Sequence, residues 1–328
     1  MSHQVTTGDW ATPVVLQSWT FEPWVAVPIG LAAAIYACGW LRLRRRAPQR
    51  VGAGRLAAFM GGLAAVLVAL ESPLHPMAER LLQAHMVQHL LLLMVAPPLI
   101  WLGTPLLPLL CGLPGRTLRI WAGRLLARPA LVRLGQGLVH PVVAWVAFIG
   151  STWAWHMPGL YERALASESW HYAQHACFLA TGLAFWWPVV RPWPSRVAAP
   201  RGAIVLYLVL ADLQNTVLSA WLVFAERVLY PTYAANPGPW GMAGLDDQAA
   251  AGAIMWVPGS IAFLLPAAWI VAQMLSPQAG SAARSGFPRG GPVQSPGVQE
   301  CGIQPRHHDP LVTPVAWFRH RPPRFGPS

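Results

Sequence analysis

Seven apolar stretches dominate this sequence, and each has about the length that crosses a lipid bilayer. The hydrocarbon core of a bilayer is about 30 Å thick, which a helix of roughly 20 apolar residues spans. Of the 328 residues, 55% are hydrophobic and only 11% are charged, whereas soluble domains carry roughly 25% charged residues. The sequence therefore predicts an all-α, polytopic membrane protein with seven transmembrane helices, at 23–41, 56–74, 85–110, 137–157, 171–190, 203–225 and 249–275.

The basic residues lie mostly in alternate connections between these helices. All 23 are arginines, and they give the chain a formal net charge of +11. Fourteen lie in the connections 42–55, 111–136 and 191–202, whereas the other connections hold only three. Because cytoplasmic loops carry such an excess of basic residues, we expect the N-terminus outside and the C-terminus inside. The same distribution indicates that this charge faces the lipid bilayer and not a nucleic acid.

The predicted helices divide the chain into three regions. Residues 1–22 are expected to form a short extracytoplasmic tail without a cleavable signal peptide. Residues 23–275 form the seven-helix membrane domain, whose third helix is broken by Pro97-Pro98 and Pro105. From 276 to 328 the chain is rich in Pro, Gly, Ser and Arg, a composition that predicts a disordered cytoplasmic tail.

The motif HxxQH occurs twice, at the start of two predicted helices that run in the same direction. One copy spans His85 to His89 and the other spans His171 to His175. Both copies should therefore lie at the same depth in the membrane. The helix between them runs in the opposite direction and ends near His156, which brings a fifth histidine to that level.

The spacing within HxxQH suits a metal site. Residues i and i+4 share a helix face, so two imidazoles of one motif can bind one metal or face two metals. Imidazole binds copper, zinc, iron and nickel, and thioether sulfur favours Cu(I), which makes Met86, Met157 and Met255 plausible neighbours. The cysteines form no CxxC or CxxxC, so the sequence does not predict a thiolate site. The alternative is that these histidines only contact lipid headgroups.

Three other polar residues are candidates for accessory roles. Asp212 lies in mid-span with Asn215 three residues later, and an ionisable residue at that depth should face the helix bundle. It can pair with Asn215, or it can serve a metal or proton relay. Asp247 precedes the last helix, where it can be an N-cap or an accessory ligand. His75, at the end of the second helix, can belong to the histidine group.

Several segments together resemble the caa3-type cytochrome c oxidase assembly factor family, often called CtaG. Their order from the third to the seventh helix carries the resemblance, which covers about residues 55–275. The matching segments are HMVQHLLLLMVAPPLIWLGTPL (85–106), HYAQH (171–175), FWWPV (185–189), DLQNT (212–216) and DQAAAGAIMWVPG (247–259).

The resemblance implies a non-enzymatic, chaperone-like role in maturing haem–copper oxidases in the bacterial plasma (inner) membrane, with oxidase subunits as partners. Its histidine pairs correspond to the two HxxQH motifs, and its aspartates correspond to Asp212 and Asp247. We expect copper, with Cu(I) favoured, to be bound at the outer membrane face. One alternative is a haem-b oxidoreductase with two axial histidines, and another is a copper permease.

Overall fold

The computed structural model describes residues 19–46, 48, 51–192, 195, 199–235 and 244–276. The predicted tails at 1–22 and 276–328 fall almost entirely outside these residues. Within the described ranges the regular structure is helical and contains no strand, as the sequence predicts.

The helices fall into a first half and a second half of the chain. The first half contains α1 (Pro23–Arg46), α2 (Ala53–Glu71), α3 (Leu74–Ala78), α4 (Leu82–Leu90), a π-helical segment (Leu91–Val95), α5 (Ala96–Leu102), α6 (Leu106–Gly112) and α7 (Arg116–Leu126). The second half contains α8 (Pro129–Leu138), α9 (Pro141–His156), α10 (Pro158–Ala166), α11 (Glu168–Val190), α12 (Arg201–Val223), α13 (Pro231–Ala235) and α14 (Gly244–Leu275).

Five of these helices, counting Leu82–Leu102 as one, are long and apolar enough to cross a membrane. The pair α8 and α9, bent by 59° at its junction, raises the number to as many as six. A polytopic helical membrane protein is therefore confirmed. Helix α11, at the predicted fifth span, is not among these candidates; its first turns carry His171, Gln174 and His175. The count of seven spans and the orientation of the termini stay predictions.

The connection predicted at 111–136 is largely helical. Helices α7 and α8 occupy most of it, and neither contains a buried residue. The preceding helix, α6, ends where the guanidinium of Arg42 donates to the carbonyl oxygens of Cys111, Gly112 and Leu113. Carbonyls at a helix C-terminus lack intrahelical donors, so this arginine satisfies the last turn of α6 from α1.

Proline explains the π-helical segment between α4 and α5. Pro97 and Pro98 have no backbone N–H to donate to the carbonyls of Leu93 and Met94. The backbone instead widens, and the N–H of Ala96 donates to the carbonyl of Leu91 five residues earlier. The indole of Trp186 on α11 donates to the freed carbonyl of Leu93 at 2.9 Å. The predicted break in the third span is confirmed.

Glycines let α11 and α14 approach their neighbours closely. A Cβ at Gly182 on α11 would lie 2.9 Å from Pro97 and 3.1 Å from the Leu93 carbonyl oxygen. A Cβ at Gly252 on α14 would lie 3.0 Å from backbone atoms of Ser219 and Val223 on α12. Because any side chain would push these helices apart, the two glycines fix the positions of α11 and α14 in the bundle.

Candidate metal centre

Three histidines from the two HxxQH motifs converge in the bundle. The nitrogens that His85, His89 and His175 can offer to a metal all lie within 4.8 Å of one another. His85 and His89 are successive on one face of α4, and His175 projects from α11. All three side chains are 3% exposed or less. We call this group the histidine triad.

The other predicted histidines surround the triad. The ring of His171 lies 4.3 Å from that of His175 and 5.0 Å from that of His85, measured between centroids. The ring of His156, at the end of α9, lies 5.7 Å from that of His89. The structure therefore brings together all five histidines that the sequence assigned to one level.

Hydrogen bonds fix the tautomers of two of these histidines. The Nδ1 of His156 lies 2.6 Å from the carbonyl oxygen of Thr152, which can only accept, so Nδ1 carries the proton. The Nδ1 of His85 lies 2.9 Å from the hydroxyl of Tyr233, which itself donates to the carbonyl of Ala78 at 2.8 Å. His85 must therefore donate to Tyr233. Metal-binding histidines characteristically donate their second N–H in this way.

The remaining nitrogens of these imidazoles are buried without a protein hydrogen-bond partner. These are Nε2 of His85, His156 and His171, and both nitrogens of His89 and His175. Leaving a buried polar group unpaired costs roughly 1–3 kcal/mol, so such a concentration is unfavourable unless a ligand satisfies it. Neutral imidazole nitrogens converging on one point are a donor set suited to copper or zinc, and the residues present fit a bound metal ion.

Buried tyrosines close one side of the triad. The ring of Tyr161 lies 5.1 Å from that of His85 and stacks on Tyr230 at 4.1 Å. Tyr233, on α13, is 3% exposed, and burial raises the pKa of its hydroxyl above the ordinary value. Tyr233 therefore stays a neutral hydroxyl at physiological pH, and it can accept from His85 while donating to the backbone.

Asp247 holds the helix that carries two triad histidines. Its carboxylate accepts hydrogen bonds from the backbone N–H groups of Leu82 at 2.7 Å and Gln83 at 3.2 Å. These groups are orphan donors of the first turn of α4, whose own N-cap, Leu81, has no capping side chain. A carboxylate at a helix N-terminus also interacts favourably with the helix dipole. Asp247 therefore caps α4 from α14 and positions the triad without belonging to it.

The predicted methionines and the glutamines of the two HxxQH motifs have separate environments. Met86 and Met255 are buried in an apolar cluster that also contains Tyr161 and Tyr233, the tyrosines beside the triad, whereas Met157 is 40% exposed. Gln88 donates to the carbonyl of Ala69 at 2.6 Å, which ties α4 to α2. Gln174 is fully buried and its side chain lies beside His85 of the triad.

Asp212 does not form the predicted pair with Asn215. The Asn215 side chain donates to the carbonyl of Met255 at 3.1 Å, because a close helix crossing at Gly259 brings α14 against it. The Oδ1 of Asp212 is buried without a hydrogen-bond partner, and Asp212 is not part of the group that could hold a metal ion.

Two features of the site were missed by sequence reasoning. Tyr233 lies in the short helix α13, far from either motif in the chain, and no periodic pattern distinguishes it. Asp247 was predicted to be a cap for its own helix or an accessory ligand, and its role as the cap of α4 was not predicted. A carboxylate directly before a long apolar helix gives no sequence signal that another helix is its hydrogen-bond partner.

Comparison with known proteins gives a family match over most of the chain. The sequence model described as cytochrome c oxidase caa3 assembly factor matches residues 34–276. Uncharacterized proteins of Mycobacterium bovis and Mycobacterium tuberculosis are each 28% identical over 250 residues, covering 74% of this chain and 37% of the relative. One from Mycobacterium leprae is 25% identical over 266 residues, covering 78% and 39%. The chain thus spans less than two fifths of these relatives, and no solved structure matches it.

Proposed function

Because the chain belongs to the family of cytochrome c oxidase caa3 assembly factors, we propose that it binds copper at the histidine triad and hands it to an oxidase subunit. The family indicates an assembly role in a membrane, which does not require an enzymatic activity. Copper is the cargo in this proposal, held for transfer and not for catalysis.

The convergence of His85, His89 and His175 is the observation that carries the proposal. Their nitrogens meet within 4.8 Å, and His85 is oriented by Tyr233 so that its unprotonated nitrogen is left for a metal. Neutral nitrogen donors bind Cu(I) or Cu(II) without the near-irreversible affinity of a thiolate cage. Such a set of donors suits an ion that must be released. His156 and His171 lie close enough to the triad to act as further ligands.

The geometry favours an ion over haem. A haem with two axial histidines needs the macrocycle between the two rings. The ring of His89 instead has His85 at 4.4 Å and Phe178 at 4.6 Å, and these side chains fill the space beside it. The permease alternative depends on Asp212, which is not among the residues that could hold a metal ion together at the triad.

The membrane arrangement in the proposal has seven spans, with α11 as the fifth. We propose that the N-terminus is outside, the C-terminus is inside, and the triad lies towards the outer face of the bacterial inner membrane. Alkaline phosphatase, which is active only outside the cytoplasm, should be active when fused after Glu168 and inactive when fused after Ser276. The reverse pattern would place the triad at the cytoplasmic face and contradict delivery to an outer acceptor.

Two measurements test the copper function itself. A deletion strain should lose copper-oxidase activity, and added copper should restore part of it if delivery is limiting. The purified protein should bind Cu(I) close to one ion per chain and show no Soret band. Stoichiometric iron with a Soret band would support the haem oxidoreductase instead, and a deletion strain with full oxidase activity would contradict the assembly role.

A further inference from the structure

The six histidines at this end of the bundle form a graded series from the surface to the interior. His75, on the short helix α3, is half-buried, and His171 is 8% exposed. The triad and His156 are 3% exposed or less. Accessibility therefore falls steadily along the series, and only His75 has substantial contact with the surroundings.

Neighbouring rings in this series are close enough to share an ion. The ring of His75 stacks on that of His171 with centroids 5.6 Å apart and an interplanar angle of 14°. His171 then lies 5.0 Å from His85 and 4.3 Å from His175. Two imidazole nitrogens that bind one metal at about 2 Å each hold their ring centres roughly 6 Å apart or less. Every step in the series meets this limit.

The first two histidines have nitrogens available for such a role. The Nδ1 of His75 and the Nε2 of His171 are buried without a hydrogen-bond partner, although both side chains lie near the surface. On the other side of the triad, Tyr161 and Tyr230 are fully buried and stack on each other. Of the six histidines, His75 is therefore the one that meets the surroundings, and His171 lies between it and the triad.

We propose that His75 and His171 form a loading route through which Cu(I) reaches and leaves the histidine triad. This inference rests on the proposed copper function. At each step one imidazole nitrogen–copper bond forms as another breaks. The imidazoles stay neutral and the copper stays Cu(I), so neither a proton nor an electron is transferred. His75 acts on the rate of loading, whereas the triad sets the equilibrium affinity.

The test is the rate of copper transfer into the purified full-length chain. Cu(I) is presented anaerobically as its coloured bicinchoninate complex, and loss of the colour is followed by stopped flow. In His75→Asn the loading rate should fall at least tenfold, while the amount of copper bound at equilibrium stays at the wild-type level. Release to excess bicinchoninate should slow by the same factor, because the equilibrium constant is unchanged. His140→Asn, at an exposed histidine far along the chain at the start of α9, is the matched control and should load at the wild-type rate.

The outcomes distinguish the loading route from the proposed function. Wild-type protein that takes up no Cu(I) would overturn the copper function and the route with it. Normal equilibrium binding with an unchanged loading rate in His75→Asn would overturn the route alone. A loss of equilibrium binding in His75→Asn would also overturn it, because His75 would then be a ligand of the site and not a step towards it.

Discussion

The histidine cluster and the arginine-rich helices of this membrane bundle differ in whether their polar side chains are buried. At the histidine end, five imidazoles are almost completely buried and many of their nitrogens lack a protein partner. At the arginine end, formed by α7 and α8, no residue is buried. Four of the five arginines there are exposed, at 116, 124, 128 and 133.

The difference shows that burial distinguishes polar side chains that contact lipid headgroups from polar side chains that can bind a ligand inside the bundle. Exposed arginines on amphipathic helices, interleaved with exposed Trp121 and Leu134, are typical of helices that lie in the membrane interface. We expect their partner to be the lipid headgroup region. Buried imidazoles exclude that partner, so any ligand that they bind must enter the bundle. Composition alone cannot distinguish the two ends, because both are rich in cationic or potentially cationic side chains.

The largest effect is expected from removal of a triad ligand. His89→Ala and His175→Ala each leave only two of the three converging nitrogens, and we expect the affinity for Cu(I) to fall by about 100-fold or more, since changes to outer hydrogen-bond partners alone cost 10–100-fold. Competition titration against a Cu(I) chelator measures this. His140→Ala, an exposed histidine, should bind copper like the wild type. Full Cu(I) affinity in both triad variants would show that the buried histidines are not the copper site, which would contradict the proposed difference between the two ends.

A smaller effect is expected at the hydroxyl that orients His85. Tyr233→Phe removes the acceptor for Nδ1 of His85, so the ring loses its fixed tautomer, and copper affinity should fall roughly tenfold. The control is Tyr207→Phe, which removes another buried hydroxyl, bonded to the Phe185 carbonyl at 2.9 Å away from the triad. If both substitutions weaken copper binding equally, the effect comes from general loosening of the bundle.

The cap on α4 should affect stability more than affinity. Asp247→Asn keeps one acceptor oxygen and removes the charge, so the first turn of α4 loses one of its two hydrogen bonds. We expect a loss of about 1 kcal/mol in the free energy of unfolding, seen as a lower thermal midpoint, with copper affinity reduced only several-fold. Asp246→Asn changes the exposed neighbour and should leave both unchanged. An equal loss in Asp246→Asn would indicate a general charge effect.

The smallest effect on copper is expected at the arginine end. Arg124→Gln and Arg128→Gln remove two exposed charges, each worth about 1 kcal/mol near an anionic membrane surface. Native mass spectrometry should detect fewer retained phosphatidylglycerol molecules per chain, whereas copper affinity should match the wild type. A drop in copper affinity would mean that the two ends are coupled.

Most of the long helices could be predicted from the sequence, because a helix that crosses lipid needs about 20 apolar residues. Most of the long helices begin and end within five residues of the predicted positions; for example, α12 covers Arg201–Val223 against a predicted 203–225. The third prediction, 85–110, is the exception, because the candidate span there is Leu82–Leu102. The break after His89 was also predictable, since Pro97 and Pro98 remove backbone donors. The two amphipathic helices at 116–138 were not predicted, because they have 11 and 10 residues and are too short to resemble a membrane span.

The histidines of the site could be predicted from the sequence, whereas the residues that position them, Tyr233 and Asp247, could not. HxxQH repeats at equal depth place His85, His89 and His175 on facing helices, which needs only helix geometry. The contacts of Tyr233 and Asp247 join segments separated by 148 and 165 residues, and no local pattern encodes them. Of the two alternatives for Asp212, the pair with Asn215 is not formed, because the crossing helix α14 brings the Met255 carbonyl within hydrogen-bond distance of the Asn215 amide.

Neighbouring helices hydrogen-bond to α4 at both of its ends, and this limits whether the candidate metal site can be transferred to another protein. Asp247 bonds its first turn, and Trp186 bonds the widened backbone that follows it. A synthetic peptide containing HMVQH would have neither contact, and helices this short are marginal in water by themselves. The motif is therefore not a portable module. Grafting it into another helical bundle would need the carboxylate, the indole and the proline pair to be transplanted together.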